Sequence, residues 1–358
     1  MILPIATASA SPSVRSQSRA AHRPRASRTR IGSLIGTLLF VGLSLGSVAR
    51  AADPVVASPD DFASLLSRIQ QAAQRENYSG TFVHQQNNQV QSSRITHIAD
   101  RSGEHEKLEL LDGQVREFIR NNEDVQCFVP DRKLILAEKR AKYDSFPALL
   151  TSQPVDVQQF YRYVDAGPDR VAGRPARAIW LEATDGKRYG YRLWFDRDTF
   201  LLLKAQTIGE RNAVLEQVAF TDVAIGQPID RSRIKPSVEK TDGWRTETGS
   251  MTPVDLTSAG WSVRQPIAGF RKIMEVRRAF GGREDIGQMV FSDGLAAISV
   301  FIEASPPQNA VEGDAEKGPM HVVTRRNGKH WLTVVGDAPK DSVAQMARSV
   351  EYVAPASK

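Results

Sequence analysis

Five histidines, one cysteine and two arginine pairs are the residues beyond position 51 whose types invite chemistry. The histidines are His84, His97, His105, His321 and His330, and no two of them form the H-E-x-x-H pair of a zinc protease. A single cysteine, Cys127, builds neither a thiolate metal site nor a disulfide framework. Its alternation with Val125 and Val129 makes it a small core residue of a strand. No G-x-S-x-G elbow, Walker loop or G-x-G-x-x-G turn occurs, and the carboxylates lie in turns and on solvent faces rather than in acid–base pairs. The chain therefore does not read as an enzyme, and no metal or cofactor is expected. His84 and His97 flank the Asn87-Asn88 turn and are expected to face each other across a hairpin, either as a plain polar pair or as a metal or pH switch.

Arg277-Arg278 and Arg325-Arg326, with Lys329 beside the second pair, offer forked donors suited to phosphate. Neighbours on a strand point to opposite faces, so each pair puts one guanidinium on a given face, and solvated strand charge is the alternative reading. In KRYGYRLWFD (187–196), Tyr189, Tyr191, Leu193 and Phe195 share one face while Arg188, Arg192 and Trp194 share the other. Such an aromatic stripe is either ordinary core or the wall of an apolar cavity.

These residues need a sheet to hold them. SPDDFASLLSRIQQAAQREN (58–77) opens with Ser58 as N-cap and Pro59 at the first helical position, and Phe62, Leu65, Leu66, Ile69 and Ala73 form one apolar side. After Asn77 the period changes to that of strands, broken at Asn87-Asn88, Asp112-Gly113 and Asn121-Asn122. One helix cannot cover so wide a sheet. Residues 138 to 170 read as loops and a short helix at its open side. Strands resume at 177–183, 188–196, 199–209 and 214–222, and 225–250 is polar and turn-rich, as a linker is. A smaller unit follows from 251, with strands at 273–280, 288–291, 296–303, 321–326 and 329–335, a mobile loop over 305–318 and a closing helix over 341–350. The expected fold is α+β, mostly β: an open antiparallel half-barrel with a helical lid over 52–224, then a smaller β-sheet domain with a C-terminal helix over 251–358.

The first 51 residues carry seven arginines, no acidic residue, an apolar run from Ile31 to Val48 and the small-x-small ending Ala49-Arg50-Ala51. This is the pattern of a cleaved secretory signal peptide. The whole chain has 47 basic and 41 acidic residues, so the remainder keeps 40 basic against 41 acidic residues and is near −1. The basic character belongs to the leader, and nucleic acid is not an expected partner. An exported protein without disulfides fits the bacterial periplasm, and no cysteine follows the leader to carry a lipid anchor.

NYSGTFVHQQ (77–86), RYGYRLWFD (188–196), LLLKAQ (201–206), LEQVAFTDV (215–223) and FSDGL (291–295) together resemble the MucB/RseB family, periplasmic negative regulators of the envelope-stress sigma factor. The resemblance runs over nearly the whole chain beyond the leader. It implies a large domain similar to the lipoprotein carriers LolA and LolB. It also implies binding to the periplasmic part of a transmembrane anti-sigma factor (MucA/RseA), protection of that factor from site-1 proteolysis, and release when lipopolysaccharide or its lipid A portion binds. The long basic N-terminal extension departs from the family. For a lipid cavity the candidates are Phe82, Phe118, Leu149, Trp180, Tyr191 and Trp194, and for an anionic headgroup Arg277, Arg278, Arg325 and Arg326. A homodimer is a further expectation. The rival reading, a periplasmic lipid or lipoprotein carrier, leaves the hundred residues after the linker without a role.

Overall fold

The structure is a computed structural model and describes residues 59–139, 146–147, 157–280, 282–305 and 310–354. The expected leader, Ser58 and Leu149 lie outside the described residues. Helix α1 (Pro59–Arg75) buries Phe62, Leu66, Ile69 and Ala73, a spacing that keeps one side of the helix on the sheet.

Twelve strands make the large sheet: β1 (Tyr78–Gln86), β2 (Gln89–Asp100), β3 (Gly103–Leu110), β4 (Glu117–Asn121), β5 (Asp124–Val129), β6 (Leu134–Lys139), β7 (Tyr161–Val171), β8 (Arg174–Ala183), β9 (Gly190–Asp196), β10 (Leu202–Ile208), β11 (Val214–Ile225) and β12 (Arg245–Thr248). Their order is β12-β6-β5-β4-β3-β2-β1-β11-β10-β9-β8-β7, so the ends β12 and β7 do not pair and the barrel stays open. Short helix α2 (Val157–Phe160) leads into β7.

The ladder partners assign the faces. Phe82 lies opposite Phe220 and Ser93, Ile95 opposite Leu108, and Phe118 opposite Leu108 and Cys127. Partnered residues share a face, so all of these line the inner side, where α1 packs. Phe62 of the helix sits 5.0 Å from the Tyr163 ring, and Phe146 closes on Phe82 and Phe220 at 5.2 and 4.9 Å. Gly80 is needed where β1 bulges against β11: a Cβ there would lie 2.3 Å from the Asp222 carbonyl oxygen.

The small sheet has the order β13 (Ser250–Pro253), β15 (Arg271–Phe280), β16 (Arg283–Ser292), β17 (Ala297–Glu303), β20 (His330–Gly336), β19 (Met320–Asn327), β18 (Gly313–Lys317), with β14 (Trp261–Val263) and β21 (Val350–Tyr352) paired beside it. Helix α3 (Lys340–Ser349) lays Val343, Met346 and Ala347 on Ile298, Val300, Leu332 and Val334.

Three expectations are corrected. Residues 161–171 form strand β7, which the sequence hid because Gly167 and Pro168 interrupt its alternation. An edge strand tolerates proline, since one side of its backbone owes no ladder bond. The 305–318 loop contains β18, another edge strand. Residues 225–250 are not a free connection: Arg233 donates to Ser79 Oγ at 2.7 Å, Ser237 is held by Lys107 and Glu117, and β12 joins β6 in parallel.

Candidate binding site

The best-built polar feature is a clasp between the two sheets. Arg188 lies just before β9, and its guanidinium is drawn to the small sheet by Asp293 in the turn after β16. Nη1 donates to Asp293 Oδ2 at 2.7 Å, and neither side chain is exposed. Nη2 donates to Asp185 Oδ2 at 2.9 Å, Tyr161 donates its hydroxyl to Asp293 Oδ2 at 3.0 Å, and the backbone N–H groups of Leu295 and Ala296 donate to Oδ1. The rings of Phe160 and Phe270 lie 4.2 and 5.2 Å from the guanidinium carbon. Gly269, at φ +84°, lets Phe160 come this close, since a Cβ would meet its ring at 2.3 Å. Burial first, and then the Asp293 charge, hold the Tyr161 hydroxyl well above the ordinary tyrosine pKa. Buried charges survive only when paired and hydrogen-bonded, and here every partner is supplied by the fold.

Weaker links also join the two sheets. Tyr189 and His321 are hydrogen-bonded at 3.0 Å, Lys187 reaches Gln345 at 3.3 Å, and Arg278 reaches Glu138 of β6 at 3.2 Å. A cleft of about 1000 Å³ opens beside Arg188, Tyr189 and His321, lined also by the ends of β8 to β11, the 210–213 turn and Lys340.

A second polar group sits under α1. His97 stacks on Tyr78 at 4.7 Å, and its Nδ1 lies 2.8 Å from the Glu76 carbonyl oxygen, which makes Nδ1 the protonated nitrogen. Nε2 is buried and has no hydrogen-bond partner among the described residues, and burial lowers the His97 pKa. Nearby, Arg120 bridges Glu104 and Glu106 at 3.3 Å each. The register also corrects the histidine pairing: His84 lies opposite Gln91 and bonds Glu216, while His97 lies opposite Tyr78. The ladder closes at Gln86 and Gln89, which puts His84 two residues and His97 eight residues from the turn, six residues out of register with each other. Among the described residues no metal-holding group of His, Cys, Asp and Glu assembles, and no helix is long and apolar enough to cross a membrane.

The cavity candidates divide between faces. Phe82, Phe118 and Tyr191 lie on the inner side, Phe82 fully buried and Tyr191 opposite Leu181 and Thr207. Trp180 and Trp194 lie on the outer side, in edge-on contact at 4.9 Å, because Tyr191 and Trp194 are three residues apart on a strand of period two. The four arginine candidates are not brought together. Arg277 and Arg325 share one face of the small sheet and Arg278 and Arg326 the other, four strands apart, roughly 19 Å at about 4.8 Å per strand. Each has a protein neighbour: Asp285 for Arg277, Gln288 and Glu138 for Arg278, the Val350 carbonyl for Arg325 and the Trp331 ring for Arg326. No spacing or pattern in the sequence marks Arg188 and Asp293 as partners, although they lie in RYGYRLWFD (188–196) and FSDGL (291–295).

Comparison with known proteins follows the same two-part division. The MucB/RseB N-terminal domain matches residues 61–238 and the MucB/RseB C-terminal domain residues 255–351. The chain is 29% identical over 335 residues to the sigma factor AlgU regulatory protein MucB of Pseudomonas aeruginosa, covering 88% of this chain and 98% of that one. It is 25% identical over 329 residues to the sigma-E factor regulatory protein RseB of Salmonella typhimurium, covering 89% and 96%. Among solved structures, MucB in complex with MucA(peri) matches with a TM-score of 0.61 at 26% identity, over 82% of this chain and 99% of that one. The Pseudomonas aeruginosa MucA/MucB complex matches at 0.62 and 28%, over the same shares of the two chains. Matched in both parts and in the same order, this chain belongs to the MucB/RseB family.

Proposed function

We propose that this protein is a periplasmic regulator that binds the periplasmic part of a MucA-type transmembrane anti-sigma factor, shields it from site-1 proteolysis and so restrains an envelope-stress sigma factor. The observation that carries this reading is the match to MucB bound to MucA over 82% of this chain and 99% of that one. The clasp supports it, because a buried Arg188–Asp293 pair makes both sheets one framework with a cleft between them, a form suited to a polypeptide partner. The apolar inner face of the half-barrel supports a second part of the proposal, in which an acyl lipid such as lipid A displaces the cover of that face and releases the partner. Each buried methylene would contribute about 0.8 kcal/mol, and a ligand that favours one arrangement of the sheets lowers affinity for a partner that favours another.

The test is direct. The mature protein is mixed with the purified anti-sigma periplasmic domain and exposed to the site-1 protease, with and without lipid A. Binding and protection in the lipid-free sample are expected, and their absence rejects the regulatory reading. Protection that lipid A leaves unchanged rejects only the lipid-release part.

A further inference from the structure

We propose that the cleft beside the clasp seats an acidic, extended stretch of polypeptide, held by Arg192 and Arg211. This rests on the anti-sigma reading for the identity of its natural partner. Arg192 projects from β9 on the same face as Trp180, its ladder partner, and its guanidinium carbon lies 5.3 Å from the Trp180 ring centre. Stacking on an aromatic ring holds a guanidinium in place while leaving its in-plane N–H donors free for a carboxylate. Arg211 is exposed in the turn between β10 and β11. It and Asn212 both adopt left-handed backbone, at φ +53° and +61°, the geometry of a tight hairpin turn. Among the described residues neither arginine has a carboxylate in ion-pair reach, whereas Arg162, Arg174 and Arg177 on the neighbouring strands are each matched to an acid.

The cleft's own carboxylates do not compensate. Glu182 is already engaged by Arg162, which leaves Glu210 as the acid facing two unpaired arginines among the described lining residues. Across the cleft Lys340, at the start of α3, is already matched to Asp314 at 3.3 Å, so the unbalanced positive charge of the cleft lies on the side of Arg192 and Arg211. A volume of about 1000 Å³ is at the upper end for a small molecule and suits several residues of extended chain. Two solved structures that this chain resembles hold MucB together with MucA, a polypeptide partner. A backbone carrying Asp or Glu side chains over an aromatic floor is therefore the chemistry that fits.

The probe is a fluorescein-labelled hexaglutamate peptide, read by anisotropy on the full mature chain, with hexalysine and inorganic pyrophosphate as controls. R192Q and R211Q are compared with R277Q, which alters an arginine far from the cleft. Hexaglutamate is expected to bind at low salt, to weaken at least about tenfold in each cleft variant, as loss of a charged hydrogen bond does, and to be unchanged in R277Q. Arg211 is exposed on a turn, so R211Q separates binding from folding. Equal binding by all variants overturns the proposal, as does pyrophosphate binding that matches the peptide's affinity at the same arginines, which would assign a phosphate ligand instead. The anti-sigma domain is then titrated against the same proteins. If wild type binds it and R192Q and R211Q bind equally well, the cleft assignment fails and the regulatory reading stands. If hexaglutamate binds through the arginines but the anti-sigma domain does not bind, the regulatory reading fails and the acidic-peptide site stands.

Discussion

Arg188 and Asp293 stand 105 residues apart in the chain and meet at 2.7 Å with no solvent access. One belongs to RYGYRLWFD and the other to FSDGL, so two sequence motifs that look like scaffold patterns are the two sides of one joint. A joint of this kind fixes the relative position of the sheets, because the pair is satisfied only in one arrangement.

Removing one partner leaves the other charge buried. R188M is expected to lower unfolding free energy by about 3–5 kcal/mol, and Tyr161→Phe by about 1 kcal/mol through its single hydrogen bond to Asp293. Urea titration monitored by tryptophan fluorescence measures both. A loss below about 1 kcal/mol in R188M would show that the clasp is a surface-like pair and not a structural joint.

Gly80 sits where β1 crowds β11, and the obstructing atom is the Asp222 backbone oxygen, not a movable side chain. Gly80→Ala is expected to destabilise by about 1–3 kcal/mol, the usual range for overpacking. Gly113→Ala is the internal control for steric crowding: a Cβ there meets nothing within 4 Å, so its cost is confined to the strain of its φ of +76°. Equal thermal midpoints for G80A and wild type would refute the close approach.

Lys107 and Glu117 are 4% and 5% exposed and together pin Ser237 on the outer face. Lys107→Met leaves Glu117 buried without its cation. It is expected to cost about 3–5 kcal/mol and to expose the 225–250 segment to limited trypsin digestion. If cleavage in that segment is no faster than in wild type, the segment is held by other contacts.

Two buried titrations act in opposite directions. Burial lowers the His97 pKa, so the unfolded chain, near the ordinary value of about 6.5, takes up the proton first. The resulting stability is present above about pH 6.5 and is lost as pH falls through the folded value. Burial, with the Glu216 carboxylate nearby, pushes Asp337 up to about 6. The folded state then holds that proton more tightly, and its contribution, present in acid, is lost as pH rises through about 6. His97→Gln should flatten the acid loss, and Asp337→Asn should remove the decline between about pH 4 and 6. Denaturation midpoints across pH 4–8 that are parallel in wild type and both variants would exclude these groups as the source.

Local sequence determined the parts of this protein that depend on local rules. The Phe62, Leu66, Ile69, Ala73 stripe specifies α1 because helical geometry brings those positions to one side, and Asn87-Asn88 and Asn121-Asn122 specify hairpins because asparagine tolerates the backbone angles such turns require; Asn87 and Asn122 have φ of +55° and +56°. The open β architecture and the absence of recognisable catalytic motifs were legible for the same reason. Tertiary structure alone decided which faces meet. Strand alternation separates Tyr191 from Trp194 but does not say which side faces in, and only the ladder order puts Phe82, Phe118 and Tyr191 together. Edge strands β7, β12 and β18 escaped notice because half of their backbone needs no partner, so their sequences are free of the usual pattern. Arg188 and Asp293 were invisible as a pair because a buried ion pair is specified by desolvation and long-range packing, and no spacing in the chain records that.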